Sequence, residues 1–235
     1  MGNTQFRFKQ FAIEQDGVPM KVGTDGVLLG AWVGFDGSER RVLDIGTGTG
    51  VIALMAAQRS AAESIVGVDV ELVAVERARE NFARSPWSGR LLAECVAVQE
   101  FTATEPFDVI ISNPPYFVDS LRSPDEGRTT ARHTAALPFA DLDEVAGRLL
   151  AERGRMALIL PPAEMARFAA QSRLAMVRRC DVRSVPRGEV KRVMAEFVRT
   201  AAAECRCEEM TIETERRGEF SDEYRRLTKD FYLKF

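Results

Sequence analysis

Between residues 41 and 160, short apolar runs alternate with longer amphipathic ones, and this alternation restricts the fold more than any other feature of the chain. The strand candidates are Arg41–Ile45, Ile65–Asp69, Leu91–Val98, Phe107–Ser112 and Arg155–Leu160. Helical stretches fall between them at Gly50–Arg59, Glu71–Arg84 and Asp141–Glu152. In the second of these, Val75, Ala78 and Phe82 share one face at i, i+3 and i+7. Asp141 with Glu144 three residues on has the form of a capping box. Strands that alternate with helices in this way read as a parallel sheet wound by helices on both faces. Beyond Leu160, Pro161-Pro162 opens a further helix, and Met176–Val185 and Arg192–Thr200 are strand-like. Pro186-Arg187-Gly188-Glu189 between them is a turn, so these two runs form an antiparallel hairpin. The tail Phe220–Phe235 reads as a short helix with an aromatic end. The expected fold class is α/β: a mostly parallel, doubly wound, seven-stranded sheet with an antiparallel C-terminal hairpin.

In a doubly wound sheet, ligands bind beyond the carboxyl ends of the strands, where the winding reverses. Two segments lie at such ends. The first is Val42-Leu-Asp-Ile-Gly-Thr-Gly-Thr-Gly50, a strand running into a glycine-rich turn. Its spacing is G-x-G-x-G, and Val51 occupies the place where the dinucleotide fingerprint requires its third glycine, which disfavours an NAD dehydrogenase. A glycine loop at a strand-to-helix junction still lets a ligand approach the backbone, through Gly46, Gly48 and Gly50. An acid about 20 residues on should accept from ribose hydroxyls. Ile65-Val-Gly-Val-Asp69 supplies Asp69, with Glu71 as the substitute.

The second segment is Asn113-Pro114-Pro115-Tyr116, directly after Phe107–Ser112. An exocyclic amine such as adenine N6 is a poor nucleophile because its lone pair is delocalised into the ring. Two acceptors on its N–H groups favour a more tetrahedral, nucleophilic geometry. The Asn113 carboxamide oxygen and the Pro114 carbonyl provide such a pair, and Tyr116 can stack on the flat substrate. Pro115 restricts Pro114 to extended angles, which partly fixes its carbonyl direction. If the first and fourth strands are neighbours, both segments face one crevice.

The composition, 46% hydrophobic and 29% charged over 235 residues, suits one domain spanning 1–235 with a full core. A formal net charge of −3 argues against a non-specific nucleic-acid coat protein, though not against a local basic face. No apolar run approaches the roughly 20 residues that span a bilayer, and the start lacks a signal-peptide hydrophobic region, so a cytoplasmic location without membrane contact is expected. Cys95, Cys180, Cys205 and Cys207 fit no disulfide framework in such a compartment. A structural zinc needs four ligands and the single histidine, His133, lies far from Cys205 and Cys207, so no metal is expected. One histidine also makes a Ser-His-Asp hydrolase improbable.

The glycine loop and NPPY resemble those of the Rossmann-like class I methyltransferases, which use S-adenosylmethionine and leave S-adenosylhomocysteine. Phe8-Lys-Gln-Phe11, Met20-Lys-Val-Gly-Thr-Asp-Gly26, Leu29-Gly-Ala-Trp32, Ser85-Pro-Trp87 and Phe231-Tyr-Leu233 are similar to the bacterial tRNA adenine-N6 methyltransferases that modify adenine 37 of a valine tRNA. The match runs from about Phe6 to the C-terminus, and its most specific part is the segment from Lys21 to Trp32. The resemblance implies that residues 1–40 form a cap contributing to the cofactor site and 41–235 the Rossmann-like core. It places Gly23, Thr24 and Asp25 near the methionine end of the cofactor, helix capping being the alternative for Thr24 and Asp25. Lys21, Asp44, Val98 and Asn113 are expected among the cofactor contacts, beside Gly46, Gly48, Gly50 and Asp69. One departure stands out: where relatives often carry an acid after the third strand, this chain has Ala97, with Gln99 the nearest substitute.

For the RNA, Arg122, Arg128, Arg132 and His133 follow NPPY, and Arg178, Arg179, Arg183, Arg187, Lys191 and Arg192 form a second basic concentration, of which Arg187 is the candidate contact. The competing readings are a protein glutamine-N5 methyltransferase, an rRNA guanine-N2 methyltransferase and a non-catalytic cofactor-binding RNA-interaction module. The glutamine-N5 enzymes usually carry a helical domain ahead of the catalytic one, and only about 40 residues precede the first strand here. No obligate protein partner is inferred.

Overall fold

The computed structural model describes residues 4–115, 137–200 and 204–235. A short antiparallel pair, β1 (Gln5–Arg7) and β2 (Ala12–Glu14), precedes helix α1 (Thr24–Trp32). Then follow β3 (Arg41–Ile45), α2 (Val51–Arg59), β4 (Ser64–Asp69), α3 (Leu72–Ala83), β5 (Leu91–Cys95) and β6 (Phe107–Ser112). The chain continues through α4 (Phe139–Leu149), β7 (Leu150–Leu160), α5 (Pro162–Gln171), β8 (Ala175–Arg183), β9 (Val190–Val198), β10 (Arg206–Thr211) and α6 (Asp222–Thr228).

The main sheet has the order β10-β8-β9-β7-β6-β3-β4-β5. From β7 to β5 every pairing is parallel, and β9 runs antiparallel to both β7 and β8. It therefore has eight strands where the apolar runs predict seven. The addition is β10, an edge strand parallel to β8 in which only Met210 is buried. Half of its side chains are charged, so it carries no apolar signature.

Other boundaries differ from expectation: β7 begins at Leu150 and not Arg155, and the ends of β5 and α4 shift as well. β5 stops at Cys95, three residues before the expected Val98, because the Ala97 carbonyl accepts from the Glu100 and Phe101 amides and turns the chain away from the sheet. α4 begins at Phe139 behind Pro138, so Asp141 lies within its first turn and caps nothing; Asp141 accepts from the Gln99 side-chain amide at 2.9 Å instead. The Arg199 guanidinium binds the carbonyls of Gly147 and Leu150, closing the helix before the expected Glu152.

The central strands are apolar on both faces because both are covered. Val42, Val109 and Ile111 point to one core with Leu28, Leu54, Met55 and Phe82, while Leu43, Ile45 and Ile110 point to the other with Leu142, Met165 and Phe168. α1 can cross α2 closely because Gly30 has no side chain: a Cβ there would lie 2.8 Å from the Met55 sulfur. The far end of α1 is clamped to the distal sheet. The Arg178 guanidinium lies 4.0 Å over the Trp32 ring and donates to Glu208 at 3.1 Å. Trp32 is thus a core residue with a polar edge, its indole N–H donating to Glu208 at 3.3 Å.

Candidate active site at the carboxyl edge

β3 and β6 are adjacent and parallel, with Ile45 paired to Ser112 on one side and to Val68 of β4 on the other. The winding reverses between them: β4 and β5 extend to one side, β7 to the other. The glycine loop and Asn113-Pro114-Pro115 consequently leave neighbouring strands at the same level. The Ser112 hydroxyl locks this register by donating to the Ile45 carbonyl at 2.9 Å.

Gly46, Gly48 and Gly50 all have left-handed backbones, with φ of 72°, 55° and 84°. Their surroundings separate them. A Cβ on Gly46 or Gly48 would meet nothing within 4 Å, whereas on Gly50 it would collide with Phe82 Cε1. The first two glycines thus leave open space beside the backbone, and Gly50 lets the α3 ring pack against the start of α2. The loop is fixed by its own amides: Gly46 and Thr47 donate to the Val68 carbonyl, and Gly50 to that of Thr47.

Asp69, half-buried at the end of β4, accepts from the Gly48 amide at 2.9 Å and from the Glu71 amide at 3.0 Å, one on each carboxylate oxygen. Both bonds hold the carboxylate facing the loop, and an ionised carboxylate has lone pairs left for a further donor. Glu71 lends its amide, and its own side chain is exposed.

Asp44 is fully buried. Its Oδ2 accepts from the Thr47 hydroxyl at 2.8 Å and the Ala53 amide at 3.1 Å, while Oδ1 has no partner among the described residues. Desolvation pushes this carboxyl up to about 7, against the pull of those two hydrogen bonds and with a smaller push from the Asp69 charge. An orphaned, buried acceptor beside the open glycine faces suits a cationic group on a ligand.

Asn113 is half-buried and Pro114 buried, with Pro115 exposed. Tyr116, Arg122, Arg128, Arg132 and His133 lie outside the described residues. The N-cap of α1 is Gly23, so the N-cap position is held by neither Thr24 nor Asp25. Asp25 accepts from Arg192 Nε at 2.7 Å. The first turn of α1 packs on the start of α2, just past the glycine loop, since a Cβ on Gly26 would sit 3.5 Å from Val51 Cγ1. Lys21 is exposed. The Val98 side chain packs into the second core, leaving only its backbone for a ligand, and the Gln99 amide nitrogen is engaged by Asp141.

The second basic concentration is largely neutralised. Arg178, Arg179, Arg183, Lys191 and Arg192 pair with Glu208, Asp181, Glu209, Glu189 and Asp25. Among the described residues Arg187 has no carboxylate partner. It is exposed with φ 60°, at a hairpin tip braced by the Arg183 guanidinium on the Gly188 carbonyl at 2.7 Å. Because β8 runs in the same direction as β7, this tip projects from the carboxyl edge.

Sequence patterns did not single out Asn81. Its amide donates to the Thr49 and Glu14 carbonyls and accepts from the Glu14 amide, tying β2 to the glycine loop. The signal was a polar residue on the apolar face of α3, beside Phe82. Among the described residues no group of three or more His, Cys, Asp or Glu is arranged to hold a metal, and no helix is long and apolar enough to cross a membrane.

A sheet reversing between β3 and β6, with a glycine loop and acid on one strand pair and Asn-Pro-Pro beside them, defines a Rossmann-like class I methyltransferase. The methyltransferase small domain family matches residues 28–137. A predicted O-methyltransferase from Agrobacterium tumefaciens superposes with a TM-score of 0.67 at 20% identity, covering 88% of this chain and 96% of its own. At that identity the likeness concerns the fold. The relatives narrow it. The tRNA1(Val) (adenine(37)-N6)-methyltransferase of Phocaeicola vulgatus is 45% identical over 236 residues, 99% of each chain. That of Flavobacterium johnsoniae is 42% identical over 234 residues, 97% of this chain and 99% of its own. This chain belongs to the tRNA1(Val) (adenine(37)-N6)-methyltransferase family.

Proposed function

We propose that this protein methylates N6 of adenine 37, beside the anticodon of a valine tRNA, using S-adenosylmethionine and releasing S-adenosylhomocysteine. The observation that carries the reading is the level pairing of Ile45 with Ser112, which sets the glycine loop beside Asn113-Pro114. When bound, the cofactor supplies an electrophilic methyl on a sulfonium. Gly46 and Gly48 give it room, Asp69 accepts from its ribose, and Asp44 and Asp25 face its cationic end. Lys21, Gly23, Thr24 and Val98 border it. The Asn113 carboxamide and the Pro114 carbonyl accept from the two N–H groups of the adenine amine, and Tyr116 stacks on the base. The departing proton passes to water, so the edge needs neither a strong base nor a metal. An anticodon loop is already single-stranded, which lowers the cost of presenting the base. Arg122, Arg128, Arg132, His133 and Arg187 hold RNA phosphates. Residues 1–40 cap the cofactor edge of one catalytic domain, working in the cytoplasm where the tRNA is.

The test offers labelled S-adenosylmethionine with separate tRNA, rRNA and release-factor fractions, followed by digestion and mass spectrometry of the product. N6-methyladenosine at position 37 of a valine tRNA is the expected product. N2-methylguanosine or N5-methylglutamine would replace this reading with one of its rivals, and no methylated product with the non-catalytic one. Asn113→Ala should retain cofactor binding and lose roughly 10²–10³ in single-turnover rate. A rate within about threefold of wild type would remove Asn113 from the mechanism.

A further inference from the structure

We propose that Arg192 is a positioning residue for the cofactor, acting through Asp25; the inference rests on the reading of Asp25 given above. α1 is well anchored at its far end, where Arg178 covers Trp32 and the Gly34 amide donates to Glu196 at 2.6 Å. Its first turn is held differently. Gly23 gives no side-chain cap, Thr24 is exposed, and the packing of Gly26 on Val51 is an ordinary van der Waals contact. The charged tie on that turn is the 2.7 Å bond from Arg192 Nε to Asp25 Oδ2.

Arg192 is suited to hold it. It stands at the start of β9, paired with Val182 of β8, and the next residue, Val193, is paired with Leu160 at the end of β7. Its Nη1 donates to the Lys191 carbonyl at 2.7 Å, so the guanidinium is fixed from the strand side before it reaches Asp25. The two side chains are about one quarter exposed, 28% and 24%, so solvent only partly screens the bond. Asp25 is thereby tied to the start of β9, at the same edge of the sheet as the end of β7. Arg179, Arg183 and Lys191 pair with carboxylates within the hairpin or on the adjacent strand, whereas Arg192, like Arg178 at the other end of the helix, reaches across to α1, 167 residues away in sequence.

The experiment compares Asp25→Ala, Arg192→Ala, Arg192→Lys and the exchange Asp25→Arg with Arg192→Asp. Calorimetric titration with S-adenosylmethionine and a melting curve are recorded for each, and neither readout depends on tRNA. Asp25→Ala and Arg192→Ala should each raise the cofactor Kd by about tenfold to a hundredfold, the range for a bond to a charged group. Together they should do no more than Asp25→Ala alone, because they act through one carboxylate. Arg192→Lys should recover part of the loss. The charge exchange should restore the melting temperature but not the cofactor affinity, since the carboxylate then sits on β9. Recovery of both would make the pair purely structural and overturn the proposal. A normal cofactor Kd in Arg192→Ala with a weakened Asp25→Ala would sink the role of Arg192 alone. A normal Kd in Asp25→Ala would sink the reading of Asp25 and the proposal with it.

Discussion

Replacing Asp44 with asparagine should change how stability depends on pH. The carboxyl is buried with Oδ1 unpartnered among the described residues, and desolvation raises its pKa from 3.8 to about 7. A folded-state value above the unfolded one means that the folded protein holds the proton more tightly. The stability this provides is full below the unfolded pKa and is lost as pH rises, levelling off above the folded pKa. A shift of about three units corresponds to roughly 4 kcal/mol in all, a large share of a typical net stability of about 5–15 kcal/mol. About 2.5 kcal/mol of it should disappear between about pH 5 and about pH 7.5. The Asp44→Asn variant would have no such dependence, and its side-chain oxygen could still accept from Thr47 and Ala53. Other groups titrate alike in both proteins and cancel in the difference. Asp36, which the Ser38 hydroxyl and amide hold down at about 2, works in the opposite sense and only at much lower pH. Urea unfolding of both proteins across this range is the assay. A wild-type-minus-variant difference that stays constant with pH would show that Asp44 is already ionised in the folded protein, and the argument from its burial would fail.

The glycines should separate by kind of damage: Gly50→Ala, driven against Phe82, should lose about 2–4 kcal/mol in urea unfolding, while Gly48→Ala should lose about 1–2 kcal/mol and chiefly weaken cofactor binding by calorimetry. Asp69→Ala should weaken S-adenosylmethionine by roughly tenfold to a hundredfold and Glu71→Ala by little; the reverse order in titrations would identify Glu71 as the ribose ligand. Arg187→Gly should relieve a left-handed backbone worth about 1 kcal/mol and so raise the melting temperature slightly. The same change should raise the tRNA KM and make the salt dependence of tRNA binding shallower by somewhat under one log–log unit. An unaltered salt slope would move the RNA contact elsewhere.

The strands that build the carboxyl edge were legible because they are buried on both faces and read as plain apolar runs. The glycine loop and Asn113-Pro114 were legible because each follows such a run directly. β10 was not, since Arg206, Glu208 and Glu209 hide a strand held by Arg178 and by pairing to β8. The capping box at Asp141 misled because Pro138 had already started the helix, and the Asp141 carboxylate turned to Gln99. The ion pairing of the basic hairpin was not legible where its carboxylate partners are distant: Asp25 lies 167 residues from Arg192, and Glu208 lies 30 from Arg178. The difference between Gly50 and the other two glycines depends on Phe82, which no local pattern connects to the loop.

The clamp on α1 sets the order of synthesis against the order of assembly. The helix emerges from the ribosome early, yet Arg178, Arg192, Glu196 and Glu208, which hold it, follow 146 to 176 residues later. At about 5–20 residues per second that is a wait on the order of ten seconds or more. A nine-residue helix is not stable alone in water, so it first forms against α2, and its Trp32 end, which Arg178 and Glu208 later cover, stays exposed over that interval as apolar surface that chaperones recognise. The first turn of α1, tied through Asp25 to Arg192, is fixed only once β9 has been made. If Asp25 binds the cofactor as proposed, nascent chains interrupted before β9 should gain less stability from S-adenosylmethionine than chains that include it.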